Sequence, residues 1–319
     1  MNTVTSTVRP QRGPSRKKLR ATIPCLCGSW LIILFLACQT PPAPEFSFDD
    51  SVVPLEPGAF VYLFADKNAG PILEKFIPDT VDNKHLRQMI DLTQFAAAAA
   101  YAQIGGGVSI NRGYRLTAWG NYPVSRARMA LGAGRGWKKQ RSAVSGTEYW
   151  SAQGISVAII PGRALVSVDT GNQQKAADPF TAGLGTLLPD GFGEFRKGSV
   201  LSCWFDNPGI IINRRLEEMG IPIELPAERL FISFTPINGQ RYEARLRILL
   251  PGETQARALA VVFTIAGGFL SPATASGNTA VLASILFANP PVQDRNSLNL
   301  TSAPLSVEDI SLLFKMFSL

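Results

Sequence analysis

The chain has 319 residues, 46% of them hydrophobic and 17% charged, so it is long and apolar enough for about two ordinary domains. Its formal net charge of +7 is typical of proteins that bind nucleic acid or anionic lipid, but the charge is unevenly distributed. Six of the 31 basic residues and none of the 24 acidic residues precede Cys38. The rest of the chain is therefore close to neutral, which removes the overall electrostatic argument for nucleic-acid binding.

The N-terminal region has the organisation of an export signal. A basic segment is followed by an apolar stretch that peaks at residues 31–37 and ends at Cys38. Residues 35–38, with the sequence FLAC, resemble the lipobox of bacterial lipoproteins, in which a small residue precedes an invariant cysteine. Phe35 stands where an aliphatic residue is commoner, so the resemblance fits the relaxed lipoboxes of spirochaetes. It implies that residues 1–37 are a signal peptide cleaved by signal peptidase II and that Cys38 carries lipid.

The alternative to a cleaved signal is a single transmembrane anchor. Such a helix needs about 20 apolar residues, whereas this apolar stretch is interrupted by Pro24, Gly28 and Ser29. Proline-rich sequence follows Cys38, and residues 38–57 are expected to form the lipidated end and an extended tether. The sequence therefore predicts a protein anchored by lipid in a bacterial cell envelope and facing the periplasm, with the choice between inner and outer membrane left open.

The first half of the processed chain, residues 58–175, reads as mixed strands and helices. Residues 95–102 are ambiguous, because five consecutive alanines favour a helix, whereas the comparable run 230–234 is rich in strand formers. We predict a strand, whose short side chains leave room for a helix, the other half or an apolar ligand. The predicted elements are strands over 60–66, 95–103, 113–121, 147–160 and 164–169, and helices over 70–92, broken near Pro78, and 123–134.

A glycine-rich and basic segment follows the second of these helices. Residues 132–139 have the glycine content of a phosphate-binding loop but not its order, and helix termination explains the glycines. Basic residues cluster around Trp137 and form the densest candidate contact surface of the processed chain, which consists of Arg135, Trp137, Lys138 and Lys139. This cluster either meets phosphate head groups or forms a solvated edge.

Residue types that carry catalysis are scarce. Once the signal is removed and Cys38 is lipidated, Cys203 is the remaining thiol, and its strand-like surroundings predict a buried, inert group. His85 is the only histidine, which argues against a Ser-His-Asp or Cys-His centre and against a zinc site. Asp66 and Asp206 hold comparable positions in the two halves, and helix capping explains both. We expect no metal, no cofactor and no enzymatic activity.

The second half, residues 176–319, repeats the order of the first. Glycine, seven mostly apolar residues and aspartate recur at 58–66 and 198–206, and a tyrosine nine residues before a helix-opening proline recurs at Tyr114–Pro123 and Tyr242–Pro251. We interpret this as internal duplication, with coincidence between two unrelated α+β domains as the alternative. The predicted elements are strands over 199–206, 229–236, 241–250, 279–288 and 297–301, and helices over 208–219 and 252–267.

The order strand, helix, strand, strand, helix, strand is that of ferredoxin-like modules with a split β-α-β arrangement. The predicted fold is therefore α+β, with two tandem ferredoxin-like repeats, largely antiparallel sheets and helices on one face. Ser306 is expected to cap an amphipathic C-terminal helix. Its apolar stripe covers an open sheet face, or alternatively touches a partner or the bilayer, and consists of Val307, Ile310, Leu313, Phe314 and Phe317.

Without recognisable chemistry, the predicted function is that of a lipid-anchored envelope protein acting as a non-catalytic binding or scaffolding module. Its expected partners are the membrane, through the anchor, and an envelope protein or lipid, but not nucleic acid. The alternative is a carrier of lipid or another apolar ligand, with a cavity between the helices and the apolar runs 157–160 and 281–287. A hydrolase ranks third, because it requires carboxylates that face each other in a cleft.

Overall fold

The computed structural model describes residues 52–53, 55–75, 83–103, 111–134, 136–160, 165–170, 176–178, 186–209, 213, 224–269 and 278–316. Cys38, Arg135 and most of the predicted helix over 208–219 lie outside the described residues. The strands are β1 (Val52–Val53), β2 (Val61–Asp66), β3 (Thr93–Gln103), β4 (Asn111–Gly120), β5 (Lys138–Arg141), β6 (Glu148–Ala152), β7 (Ile155–Ile160), β8 (Leu165–Asp169), β9 (Thr186–Leu187), β10 (Leu201–Asp206), β11 (Arg229–Asn238), β12 (Arg241–Leu249), β13 (Val292–Asp294) and β14 (Ser297–Thr301). The helices are α1 (Gly70–Glu74), α2 (Asn83–Leu92), α3 (Val124–Ala133), α4 (Phe192–Arg196), α5 (Glu253–Phe269), α6 (Asn278–Leu286) and α7 (Val307–Met316).

Twelve of these strands form one antiparallel sheet in the order β13-β14-β12-β11-β10-β2-β3-β4-β8-β7-β6-β5. The two halves of the chain meet in its centre, where β2 pairs with β10 and Ala65 lies opposite Leu201. The sheet therefore runs without interruption across the predicted boundary between residues 175 and 176. A separate pair, β1 and β9, lies outside it.

The predicted split β-α-β arrangement is wrong, although the α+β class and the antiparallel sheet agree with the structure. A β-α-β crossover joins parallel strands, and in the split form another strand lies between them. Here β2 and β3 are direct antiparallel neighbours, with Asp66 opposite Phe95. The connection contains two helices, α1 and α2, and returns the chain to the end of the sheet from which it left. Consecutive strands β2, β3 and β4 consequently form a meander, as do β10, β11 and β12.

The two halves share the order of their central elements. Asp66 ends β2 and Asp206 ends β10, and each strand is followed along the sheet by the next two strands in the chain. Pro123 and Pro251 then precede α3 and α5, respectively. This order agrees with the internal duplication inferred from the sequence.

The two tyrosines of the proposed repeat, in contrast, are not equivalent in register. Tyr114 lies five residues before Trp119, which is in register with the aspartate that ends β2. Tyr242 lies seven residues before Leu249, which is in register with the aspartate that ends β10. The tyrosines are thus displaced by two residues along equivalent strands, so they are not equivalent positions of the repeat.

Two further predictions of local structure need correction. The run predicted as a strand over 279–288 is the helix α6, because a continuous apolar run has no period that separates a buried strand from a buried helix. The predicted strand over 147–160 is a hairpin of β6 and β7. Its turn contains Gln153 and Gly154, both with positive φ, as two-residue hairpin loops require. The predicted strand over 95–103, in contrast, is confirmed despite its alanines, because β3 extends over 93–103.

Both faces of the sheet carry packed side chains. We call one the helical face and the other the aromatic face, after the groups that pack on them. On the helical face, α5, α6 and α7 pack on β11, β12 and β14, while α3 packs against β7. The aromatic face carries α4, which is a departure from the prediction of helices on one face. Its core is a cluster of aromatic side chains that includes Tyr62, Phe64, Phe95, Trp119, Phe192, Phe195, Trp204 and Phe231.

The C-terminal helix forms as the sequence predicts. The Ser306 hydroxyl accepts a hydrogen bond from the Asp309 amide at 3.1 Å, and the Asp309 carboxylate accepts one from the Ser306 amide at 2.8 Å. This reciprocal cap starts α7. Ile310, Leu313 and Phe314 are then buried against the helical face of the sheet, so the stripe covers the sheet rather than a partner.

Candidate interaction surface

The residues of the predicted basic cluster do not share one face of the sheet. Lys138 and Lys139 begin β5, the outer strand of the sheet, and successive side chains of a strand point to opposite faces. Lys138 lies opposite Ser151, and both side chains point to the aromatic face of the sheet. Lys139 lies opposite Trp150, and both side chains point to the helical face. Trp137 is half-buried against the core beneath α3. Arg135 lies outside the described residues, and the other three side chains do not form one surface.

The charge of Lys139 is also offset locally. Its ammonium lies 2.8 Å from Oε1 of Glu148, whose other oxygen contacts the guanidinium of Arg128. The hydrogen bond from Lys139 lowers the pKa of Glu148 below its ordinary value. Arg128 in turn lies 5.7 Å from the ring centroid of Trp150. This geometry favours the solvated edge over a free anion-binding patch.

The carboxylates of the two halves are kept apart. Asp66 and Asp206 end neighbouring antiparallel strands, so they lie at opposite ends of the sheet, separated by about 20 Å at about 3.3 Å per residue. Glycosidases place their carboxyl groups within about 10 Å of each other. Oδ1 of Asp66 accepts the Asn68 amide at 2.7 Å, and Asp206 pairs with Arg229 at 3.1 Å. Both carboxylates therefore have structural roles.

The remaining reactive groups give no site either. Cys203 is fully buried, and this burial raises its pKa to about 12, so the thiol stays protonated. His85 lies in α2. Among the described residues, no group of three or more His, Cys, Asp or Glu side chains could hold a metal ion.

An apolar stripe on α5 is the surface that the sequence reasoning missed. Ala258, Val261, Val262 and Ile265 follow the spacing of one helix face, yet all four are exposed, with Val261 at 53% and Ile265 at 58%. The opposite side of α5 packs on the sheet through Ala256 and Leu259. We call these four residues the exposed apolar stripe.

The stretch of chain that carries the stripe has no charged residue. No Asp, Glu, Lys or Arg occurs over residues 258–293, which include most of α5 and all of α6. Phe263 contacts Phe287 with 5.8 Å between ring centroids, which holds α5 against the end of α6. None of the described helices is long and apolar enough to cross a membrane. The absence of charge over residues 258–293 is the sequence signal by which this surface could have been found.

Comparison with known proteins identifies a shared fold but no family. No protein-family model matches the chain, and no curated protein matches it. Crystal form III of TP0453, a protein of the spirochaete Treponema pallidum, matches 86% of this chain and 99% of its own, with a TM-score of 0.57 and 17% identity. Crystal form I matches 84% of this chain and 99% of its own, with a TM-score of 0.55 and 18% identity. At these identities the match shows a shared fold alone.

Proposed function

We propose that the protein is a lipid-anchored, non-catalytic binding module of a bacterial cell envelope, and that the exposed apolar stripe is the surface with which it contacts lipid. One observation carries the proposal. Four small or aliphatic side chains on one helix face are exposed within a 36-residue stretch that contains no charge. Exposed apolar surface of this kind, when contiguous, is typical of contacts with proteins or membranes.

The size of the effect is consistent with a supporting contact. Complete burial of a Val or Ile side chain gains about 1.5–3 kcal/mol, so three roughly half-exposed side chains contribute about 3 kcal/mol. That is about 100-fold in affinity. A single acyl chain gives only marginal membrane binding, and stable anchoring takes two signals. The lipid on Cys38 and the stripe are complementary signals in this sense.

We expect the double substitution Val261→Asp and Ile265→Asp to lower lipid binding at least tenfold, because each carboxylate must be taken out of water. The measurement is flotation of the soluble domain, from residue 39 onwards, with vesicles of phosphatidylcholine alone or with phosphatidylglycerol. A matched control replaces Met129 and Val144, which are exposed apolar residues outside the stripe, with Asp. Retained binding in the stripe variant, or equal loss in the control, contradicts the proposal.

The same experiment separates the stripe from the basic cluster. Apolar contacts are not screened by salt, whereas contacts of Lys138 and Lys139 with anionic head groups weaken as salt rises. We therefore expect flotation that depends little on salt or on phosphatidylglycerol. Binding that requires the anionic lipid and is abolished by Lys138→Glu assigns the contact to β5 instead.

The anchor is tested independently of the stripe. Cys38→Ala is expected to abolish fatty-acid labelling in cells and to move the protein from the membrane to the soluble fraction, because the thiol that would carry lipid is missing. A wild-type protein that incorporates no labelled fatty acid contradicts lipidation. Substitution of Cys203, which is buried away from the surface, serves as the control for labelling.

A carrier of apolar ligands is the second candidate, and one observation favours it. Leu63, Ala98 and Leu116 lie side by side on β2, β3 and β4 on the helical face, and all three are only half-buried. The alanine adds little side-chain volume between the two leucines, and this is the place that we propose for a bound chain. Lipid recovered by mass spectrometry from the purified soluble domain supports the carrier, whereas a ligand-free domain that still floats with vesicles supports surface contact.

A further inference from the structure

The N-terminal end of the described chain lies across the aromatic face. This arm consists of residues 52–53 and 55–59, and β1 within it pairs with β9 through Val52 opposite Leu187 and Val53 opposite Thr186. Leu55 is fully buried in the aromatic cluster, which also contains Tyr62 and Trp204. The arm is thus packed on the body, although the sequence predicts an extended tether over residues 38–57.

Three hydroxyl groups hold the backbone of the arm. Oγ1 of Thr186 donates to the carbonyl oxygen of Leu55 at 2.7 Å. The hydroxyls of Tyr62 and Tyr101 both donate to the carbonyl oxygen of Glu56, each at 2.9 Å, which uses both lone pairs of that oxygen. We call Tyr62, Tyr101 and Thr186 the hydroxyl clamp. They come from β2, β3 and β9, so three separate parts of the chain donate hydrogen bonds to the dipeptide Leu55–Glu56.

A tight turn brings the arm back over the strand that follows it. Pro57 precedes Gly58, whose φ of 91° is the conformation required at the third position of a type II turn. The amide of Ala59 then donates to the hydroxyl of Tyr62 at 3.1 Å. The same hydroxyl therefore accepts from one side of the turn and donates to the other, which ties the turn to the clamp.

The clamp is chemically suited to remain closed. Burial raises the pKa of Tyr62 and of Tyr101, so both hydroxyls remain protonated and able to donate. The Tyr62 ring stacks on Trp204 with 4.2 Å between centroids, which fixes the direction of its hydroxyl. The two tyrosine hydroxyls therefore keep their protons in the neutral pH range, and the threonine hydroxyl does not titrate, so all three remain hydrogen-bond donors.

We infer that the hydroxyl clamp fastens the membrane tether to the body, and so fixes its point of departure on the aromatic face, opposite the exposed apolar stripe. This inference rests on the proposed lipid anchor and the proposed lipid contact. Its consequence is that the length of the free tether decides whether the stripe reaches the membrane that holds the anchor.

The lengths can be compared. Fourteen residue steps separate Cys38 from Val52, which span at most about 50 Å. Arm, sheet and helix layers stack to roughly 25–30 Å, given about 10 Å between layers and a helix diameter of about 10 Å. The tether is therefore longer than the body is thick. Deletion of residues 41–48 leaves six steps, or about 20 Å, which is too short while the clamp holds.

The first experiment tests the clamp alone by hydrogen exchange of the soluble domain. In the double variant Tyr62→Phe and Tyr101→Phe, exchange in residues 55–59 is expected to accelerate at least tenfold. Tyr149→Phe is the matched control, because it removes a buried hydroxyl that bonds Gln140 far from the arm. Unchanged exchange of the arm in the double variant overturns the inference, whatever the protein does with lipid.

The second experiment tests the tether length by rescue. Full-length lipidated protein with Val261→Cys, labelled with an environment-sensitive dye, is inserted by its anchor into phosphatidylcholine vesicles. We expect the blue shift of the dye to be lost on deletion of residues 41–48 and restored when Tyr62→Phe and Tyr101→Phe are added, because an open clamp frees the arm as further tether. A short-tether protein that keeps the shift, or one that the clamp variant does not rescue, overturns the inference.

These outcomes are distinguishable from failure of the proposed function. If the intact lipidated protein shows no blue shift, lipid contact by the stripe is wrong, and the exchange experiment alone decides the clamp. If the intact protein shows the shift but the exchange does not respond, lipid contact stands and the clamp is wrong.

Discussion

Replacing Gly120 with alanine is expected to destabilise the protein by about 3 kcal/mol or more, since overpacking a closely fitted site typically costs 1–3 kcal/mol even where side chains can adjust. Here the obstacle is backbone. A Cβ at position 120 would lie 2.0 Å from the carbonyl oxygen of Leu92 and 2.9 Å from Cα of Thr93. Gly120 pairs with Thr93 at the start of the β3–β4 ladder, so relief requires the two strands to separate.

The measurement is urea denaturation of the soluble domain, with Gly132→Ala as the matched control. Gly132 lies in α3, and an added Cβ there meets no atom within 4 Å. Alanine is the better helix former, so the control is expected to be neutral or more stable by up to about 1 kcal/mol. Equal stability of the two variants contradicts the close approach of β4 to the end of α2.

Replacing Trp204 with alanine is expected to lower the free energy of unfolding by about 3–5 kcal/mol, the usual range for deleting a buried aromatic side chain. Trp204 is fully buried in the centre of the aromatic face. Its ring lies 4.2 Å from that of Tyr62, 5.5 Å from that of Phe64 and 5.0 Å from that of Phe192, centroid to centroid. The substitution leaves a cavity that none of these rings can fill without losing its other contacts.

The control for this prediction is Trp137→Ala at the edge of the sheet. Trp137 is half-buried, so its removal is expected to destabilise the domain clearly less than that of Trp204. Both variants are compared by urea denaturation with circular dichroism as the readout. Trp204→Ala is also expected to speed hydrogen exchange in the arm, because Tyr62 loses the ring on which it stacks. Equal losses of stability in the two tryptophan variants contradict the central position of Trp204.

Most strands in the centre of the sheet were predictable because their patterns are local. In β12, buried residues alternate with more exposed ones, and the sequence shows that alternation directly. The pairing order was not local. It depends on where the connection after β2 returns. The prediction placed the helix over 70–92, broken near Pro78, as the crossover of a split β-α-β arrangement, whereas α1 and α2 bring the chain back to the same end of the sheet.

The candidate surface illustrates a second limit. The stripes of α5 and α7 have the same helical spacing, yet Ile310 and Leu313 are buried whereas Val261 and Ile265 are exposed. Helix α5 is apolar on both sides, because Ala256 and Leu259 form a second stripe. Periodicity shows that a helix has an apolar face, but not which of two such faces meets the sheet. The prediction of one basic surface met a related limit. Lys138 and Lys139 are adjacent in sequence, but their side chains point to opposite faces of the sheet.

Strand β5 has a consequence for copies that the proposed lipid anchor would hold together on one membrane. Anchoring confines them to a plane, where the outer strands of neighbouring copies meet far more often than in free solution. An outer strand can pair with any strand that approaches it, and sheets joined in this way grow into fibres. Three of the four residues of β5 are basic and exposed, namely Lys138, Lys139 and Arg141. The charge of Lys139 is offset by Glu148, but Lys138 and Arg141 of two copies that approach through this edge repel each other. A dense surface layer can therefore remain an array of separate molecules.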